Sequence, residues 1–291
     1  SGIDQLNLDP ARVYVSNHRD IVMDPAYANY ALHQAGANTL AIAIGDNLLS
    51  KPWVADLMRL NKSFVVKRNL SGPRALLAAT KLLSQYIRDS VSTGRDPIWI
   101  AHREGRAKDG RDLTEPAVIK MLTLSRERGE APEAVLSDLN IVPLVISYEV
   151  DPCDALKAAE LAAGEGYVKA EFEDVSSIAR GITGDKGCVH LHFGEPLPAD
   201  LSVEEVVAAL DQQMAQQYRL YQTNRWAWEW LHGESVPAAL AFHEGSVTEQ
   251  SFRARIDSVP SEHRQWLLTM YANPVSRQLA LDFTDKDRSC D

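Results

Sequence analysis

Short apolar runs alternate with helical spacing through the first two thirds of the chain. Residues 12–16, 39–44, 63–67, 97–101, 141–149 and 188–193 read as strands, rich in Val, Ile, Tyr and Phe. Between them lie helical patterns at 25–35, 52–60, 72–90, 115–128, 154–163 and 171–180. Asp24 is the expected N-cap of the first, with Pro25 at its first helical position, and Pro73 and Pro116 open two others. Strands separated by helices of this length predict βαβ units. The expected fold is therefore α/β, a mainly parallel sheet flanked by helices on both faces. In such sheets a ligand sits beyond the carboxyl ends of the strands, so the residues that follow each strand are the first to inspect.

From about residue 202 the pattern turns helical. Residues 203–231 read as one long amphipathic helix ending in Trp226, Trp228 and Trp230, followed by helical stretches at 237–243, 248–257 and 262–271. This predicts a domain over 1–232 and a C-terminal helical extension over 233–291, with the boundary near 233–235.

Composition narrows the class. The chain has 291 residues with 30 Lys and Arg against 40 Asp and Glu, a net charge of −10, which argues against general nucleic-acid binding. Three scattered cysteines, Cys153, Cys188 and Cys290, form neither a disulfide framework nor a CxxC zinc pattern and point to a reducing compartment. No apolar run reaches the roughly 18–20 residues that span a bilayer, and Ser1–Pro10 has no signal-peptide pattern. The chain opens at Ser1 without an initiator Met, the pattern of a trimmed chain. The charge is uneven. Residues 57–88 contain no Asp or Glu but carry Arg59, Lys62, Lys67, Arg68, Arg74, Lys81 and Arg88. A second basic cluster holds Arg103, Arg106, Lys108 and Arg111. Cations concentrated in two segments of an acidic protein point to an anionic ligand, whereas solvated helix faces account for Lys81 and Arg88.

The strand ends carry the chemistry. After the first strand comes NHRDIVMD, residues 17–24. His18 with a nearby carboxylate, Asp20 or Asp24, is the arrangement of a general base: the carboxylate holds the imidazole tautomer and stabilises the imidazolium that forms. The third strand ends in Lys67-Arg68-Asn69 and the fourth in HREGRAKDG, residues 102–110. Arginine recognises phosphate bidentately, and a glycine turn lets backbone N–H groups approach an anion. A basic pocket beside a general base suits a phosphorylated substrate whose hydroxyl must be activated. Strand-end salt bridges, such as Arg106 with Asp20 or Glu104, are the plainer explanation of the same residues.

In this order the segments resemble the glycerolipid acyltransferase superfamily, the glycerol-3-phosphate and 1-acylglycerol-3-phosphate acyltransferases. The four blocks read NHRDIVMD (17–24), GDNLLSKPWVADLMRLNKSFVVKR (45–68), REGRAKDG (103–110) and IVPLVISYE (141–149). The resemblance covers residues 3–198. The His-to-Asp interval is five residues here where the family has four, and the third block lacks the usual Pro and is one residue shorter before its Arg.

The resemblance implies transfer of a fatty acyl group from acyl-coenzyme A or acyl-carrier protein to the hydroxyl of glycerol 3-phosphate or a lysophospholipid. His18 is the implied base, with Asp24 favoured over Asp20 because Met23-Asp24 leads into the helix as the family's Asp does. Lys67, Arg68 and Arg106 are implied phosphate ligands, and Asn47, Glu104 and Gly105 shape the acceptor pocket. No cofactor or metal is expected, although His190 and His192 share a strand face and His18, Asp20 and Asp24 could hold a cation. A nucleophilic Ser16 lacks the elbow motif such a serine needs. The amphiphilic substrates imply a cytoplasmic protein, peripheral on the inner face of the membrane through the basic stretch or through Trp226, Trp228, Trp230 and Trp266. The alternatives are an acyl-thioester hydrolase, with His18 activating water, and a non-catalytic lipid or acyl-carrier binding module.

Overall fold

The computed structural model describes residues 1–46, 52–67 and 70–288, with the side chains of 52–54, 57 and 282–288 left out. Asn47 and Arg68 lie outside the described residues. Six strands form one sheet: β1 (Val13–Ser16), β2 (Ala41–Gly45), β3 (Phe64–Val66), β4 (Ile98–Ala101), β5 (Val142–Tyr148) and β6 (Val189–Phe193). Their order is β3-β2-β4-β1-β5-β6; every pairing is parallel except β5 with β6. β1 and β5 are buried along their whole length, as central strands covered on both faces are.

Alternation along the strands sends side chains into two cores. Tyr14, Leu144 and Ile146 face the layer of α1 (Met23–Gln34) and α2 (Pro52–Leu60), where Ala28, Leu32 and Met58 meet them. Val13, Val15 and Val145 face the other layer. That layer holds α3 (Pro73–Ser92), α4 (Pro116–Leu122), α5 (Pro132–Asp138) and α8 (Val203–Gln217), with α6 (Asp154–Ala163) contributing Ala158. α7 (Glu173–Thr183) completes the α/β part. α9 (Gln222–His232) ends just before the expected boundary, and α10 (Glu249–Asp257) and α11 (Ser261–Arg288) lie within the stretch expected as the C-terminal extension.

Several expected elements differ. The 203–231 pattern is broken after Gln217, because the link to α9 is held by tertiary partners. The Arg219 N–H donates to Ser147 Oγ at 2.9 Å, Thr223 Oγ1 donates to the Glu149 carbonyl at 2.7 Å, and Tyr218, Leu220 and Tyr221 are all buried. Residues 237–243 are not a helix. His243 instead bridges Tyr221, and its N–H donates to Leu220. The 115–128 helix ends at Leu122 in a 3₁₀ turn, where Ser84 Oγ donates to the Leu122 carbonyl and accepts from Ser125 N–H. α5 has no counterpart among the expected helices. Asp24 is not the N-cap of α1. It lies in the first turn, the cap position is Val22, and Asp20 Oδ1 accepts the Val22 and Met23 N–H groups.

The extension packs into the same core as the sheet: Phe252, Leu267, Met270 and Val275 join Val13 and Val15 in one cluster. Three of the tryptophans expected to offer a lipid-facing surface are engaged here. Trp226 and Trp230 pack against the fully buried Phe252, and Trp228 stacks on His232 and donates Nε1–H to Ser276. α11 also reaches the loop after β4. Pro274 lacks an N–H, which leaves the Met270 carbonyl free of its helical bond. That carbonyl lies where a Gly110 side chain would be: a Cβ at Gly110 would stand 2.0 Å from Met270 O, and Gly110 has φ +75°. Asn273 donates to the Asp109 carbonyl, and Arg277 to the carbonyls of Asp112 and Asp211. Gly110→Ala therefore combines left-handed strain with a backbone clash. We expect it to cost about 2–4 kcal/mol in urea unfolding, and a loss below half that would contradict the packing described.

Candidate active site

The loop between β1 and α1 carries His18. Asn17 fixes its start: the side-chain amide accepts from Ile146 N–H and donates to the Ile146 carbonyl, filling a ladder position on β5. The Ser16 hydroxyl donates to the Asn17 carbonyl, so it is not paired with His18. Arg19, 5% exposed, forms an ion pair with Asp112 at 2.7 Å, and Lys157 Nζ donates to the Arg19 carbonyl while pairing with Asp151. The Ala107 N–H donates to the His18 carbonyl at 2.7 Å. The loop is thus held from β5, α6 and the segment after β4.

His18 Nδ1 lies 2.9 Å from Asp24 Oδ2. The same oxygen accepts the N–H groups of Arg19 and Asp20, and Tyr148 donates its hydroxyl to Oδ1 at 2.8 Å. Asp24 is fully buried and its carboxylate is anchored by four donors, which fixes the imidazole with Nδ1–H toward Asp24 and Nε2 left over. Burial, then the charges of Asp24 and Asp20, push the Tyr148 phenol well above its usual range, so it remains a donor. Burial and Asp24 also push the Asp20 carboxyl up, while the Met23 and Val22 N–H groups oppose this. The five-residue His-to-Asp interval leaves Asp20 to cap α1 and Asp24 to reach the imidazole. Trp99 packs edge-on against His18 with centroids 5.4 Å apart.

His18 opens into a cleft of about 350 Å³ at the carboxyl ends of β1, β2 and β4. Arg103, Glu104, Gly105, Arg106 and Lys108 from the loop after β4 line it, with Lys169 from the segment between α6 and α7. Gly105 has φ +71° with open space around it, so the turn needs glycine for its backbone conformation rather than for room. Three of the cations have carboxylate partners: Arg103 pairs with Glu115 at 3.8 Å, Lys108 with Glu160 and Lys169 with Asp174. Arg106 donates from Nη2 to Ser177 Oγ at 3.2 Å, while its Nη1 is buried without a partner among the described residues. The ion pair of Arg106 with Asp20 does not form; Asp20 is occupied at the start of α1.

A second pocket of about 200 Å³ adjoins the first and shares Ala43, Ala101, Arg103 and Glu104 with it. Its walls are mostly apolar, including Val66, Leu83, Ile100, Val118 and Met121, and Lys67 stands on it rather than in the His18 cleft. Of the residues expected at the site, His18, Asp24, Glu104, Gly105 and Arg106 come together, and Lys67 lines the neighbouring pocket. His190 and His192 lie on β6, both within 3.0 Å of Ser1 Oγ, and burial with the nearby Arg219 pushes the His190 imidazole down to about 3. Among the described residues, no group of three or more His, Cys, Asp and Glu side chains is placed to hold a metal ion.

Sequence reasoning missed Tyr148 and Trp99, which read as ordinary strand residues. Lys169 lies outside every motif. The ion pair of Arg19 with Asp112 was also missed. Burial pushes the Asp112 carboxyl up, but Arg19, His102 and the Asn17 hydrogen bond outweigh it and hold it below the usual range.

His102, directly after β4, is fully buried with Nδ1 against Met214 Sδ, and burial pushes its imidazole down to about 4. Between about pH 6.5 and 4 the unfolded chain binds a proton there that the folded chain refuses, so this group makes stability fall as pH falls. We expect lowering the pH from 7 to 5 to cost the wild type about 2 kcal/mol more than it costs His102→Gln. Urea unfolding at the two pH values reads the difference; equal losses would contradict a neutral buried His102.

The acyltransferase family profile matches residues 1–147, which contain the His18 loop, β2, β4, the Arg106 loop and nearly all of β5. No curated protein matches the chain in sequence.

Proposed function

Because the chain belongs to the acyltransferase family, we propose that it moves a fatty acyl group from a thioester, on coenzyme A or an acyl-carrier protein, to the hydroxyl of glycerol 3-phosphate or a lysophospholipid. The observation that carries this reading is the pairing, in one cleft, of His18 backed by Asp24 with the unpartnered Arg106 guanidinium nitrogen. The base activates a hydroxyl and the cation holds the phosphate attached to it. Nε2 of His18 takes the hydroxyl proton as the oxygen attacks the thioester carbonyl. The C–O bond forms, the C–S bond breaks, and the proton passes to the departing thiolate. Asp24 stabilises the imidazolium in between. The adjoining apolar pocket suits the acyl chain, and the wall shared at Ala43 and Ala101 supports a thioester carbonyl lying between the two. Arg103, on both pockets, faces the developing oxyanion or the phosphate.

The acylated product of either acceptor is an amphiphile, so the enzyme works at a membrane surface as a peripheral protein on the cytoplasmic side. Among the described residues no helix is long and apolar enough to cross a bilayer.

Arg106→Ala tests the acceptor assignment. We expect KM for the phosphorylated acceptor to rise about 10–100-fold, the worth of a charge-assisted contact, with KM for the acyl donor unchanged. A rise confined to the donor would move the phosphate of coenzyme A, rather than that of the acceptor, to Arg106.

A further inference from the structure

α3 overhangs the body of the protein. Its second half is anchored by Ile87 and Val91, whereas every residue from 71 to 78 is exposed. Leu76 and Leu77 are 43% and 58% exposed on this overhang. They lead directly into Ala79, Thr80 and Leu83, which line the apolar pocket, so the exposed leucines stand beside that pocket.

The cations of the same region divide into two sets. Arg59 pairs with Asp56, Lys62 with Asp96, and Arg88 with Glu130 and Asp138. Arg74 and Lys81 have no ion pair among the described residues. Positions 74, 77 and 81 follow the three-and-four spacing that puts residues on one helical face, so Leu77 lies between the two unpaired cations. Apolar side chains in water beside unpaired positive charges, on a protein of net charge −10, are complementary to a surface that is negative outside and apolar beneath. An acidic protein partner would satisfy the cations and leave the leucines unexplained.

We infer that the overhanging first half of α3 docks on the surface of an anionic lipid bilayer, with Leu76 and Leu77 entering the headgroup layer and Arg74 and Lys81 against the lipid phosphates. The inference rests on the acyl-transfer reading for its purpose, since it lets an acyl chain pass between bilayer and pocket without crossing water.

Vesicle flotation of the full chain tests it, with phosphatidylcholine vesicles with and without phosphatidylglycerol. The wild type is expected to float with the anionic vesicles only, and less as salt is added. Arg74→Glu with Lys81→Glu should lower partitioning by about 25-fold or more, at about fivefold per cation. Leu76→Ser with Leu77→Ser should lower it about tenfold. All four positions are exposed, so thermal unfolding should be unchanged in both variants. Absence of wild-type binding to anionic vesicles, or equal binding by the variants, would overturn the inference. So would loss of acyl-carrier-protein binding, rather than of vesicle binding, in the charge-reversed variant. Transfer from a water-soluble short-chain thioester, measured in parallel, separates this inference from the function it serves. Intact soluble transfer without vesicle binding defeats the docking surface alone, and vesicle binding without any transfer supports the surface and defeats the transferase reading.

Discussion

His18→Ala is expected to lower kcat for acyl transfer by about 10²–10⁴-fold, the usual contribution of a positioned general base. The KM values for thioester and acceptor should move little, because the apolar pocket and the Arg106 cleft are left as they are. His18 is 14% exposed and is held by its neighbours more than it holds them. Asn17, Arg19 and Asp24 keep their contacts with β5, Asp112 and Tyr148, so the variant should remain folded. Steady-state kinetics with both substrates varied reads the split. A variant with unchanged kcat would remove His18 from the chemistry. One whose KM alone rises would make the imidazole a binding group.

Asp112→Asn is expected to destabilise the protein by about 3–5 kcal/mol, as removal of one partner from a buried ion pair does. Asp112 is 3% exposed and faces an Arg19 that is 5% exposed, with Asn17 donating to the same oxygen. Its backbone is left-handed, at φ +48°. Asparagine tolerates that conformation, so this substitution removes the charge without straining the chain. What remains is a buried guanidinium with the Tyr218 ring 5.3 Å away and only the more distant charge of Asp151, which is itself paired with Lys157, to offset it. Because Arg19 follows His18 directly, the loss should reach catalysis as well. Urea unfolding gives the stability; a loss below about 1 kcal/mol would mean that Arg19 finds water or another partner.

Most of the α/β layers could be read from the sequence because the strands and helices carry their own periods, and Pro73 and Pro116 mark the starts of α3 and α4; α5, only seven residues long, was too short to show a period. The pairing of His18 with Asp24 was readable for the same local reason: both residues lie on one short loop entering one helix. What could not be read depends on partners far along the chain. The break between α8 and α9 has no Gly or Pro; it is imposed by Ser147 and Glu149 on and beside β5. Tyr148 looks like any aromatic strand residue until the sheet order places β5 beside β1. The attachment of α11 to the loop after β4 joins a glycine and a proline more than 160 residues apart. Each alone reads as a turn former or a helix breaker. Only the fold shows that Pro274 frees the Met270 carbonyl that Gly110 approaches. Glu149 is a similar case: at the end of the fourth motif, it accepts the N–H groups of Cys188, Ser246 and Val247. Its place in the motif therefore reflects how the strand end is tied to the extension.

The most direct test of the central claim is the product made from a palmitoyl thioester by the wild type and by His18→Ala, with glycerol 3-phosphate, a lysophosphatidate or water alone as acceptor. The account predicts a phosphorylated acyl ester with one of the two phosphorylated acceptors, formed one for one with released thiol, and its loss in the variant. Free fatty acid as the sole product in all three reactions would contradict it and make the protein a hydrolase.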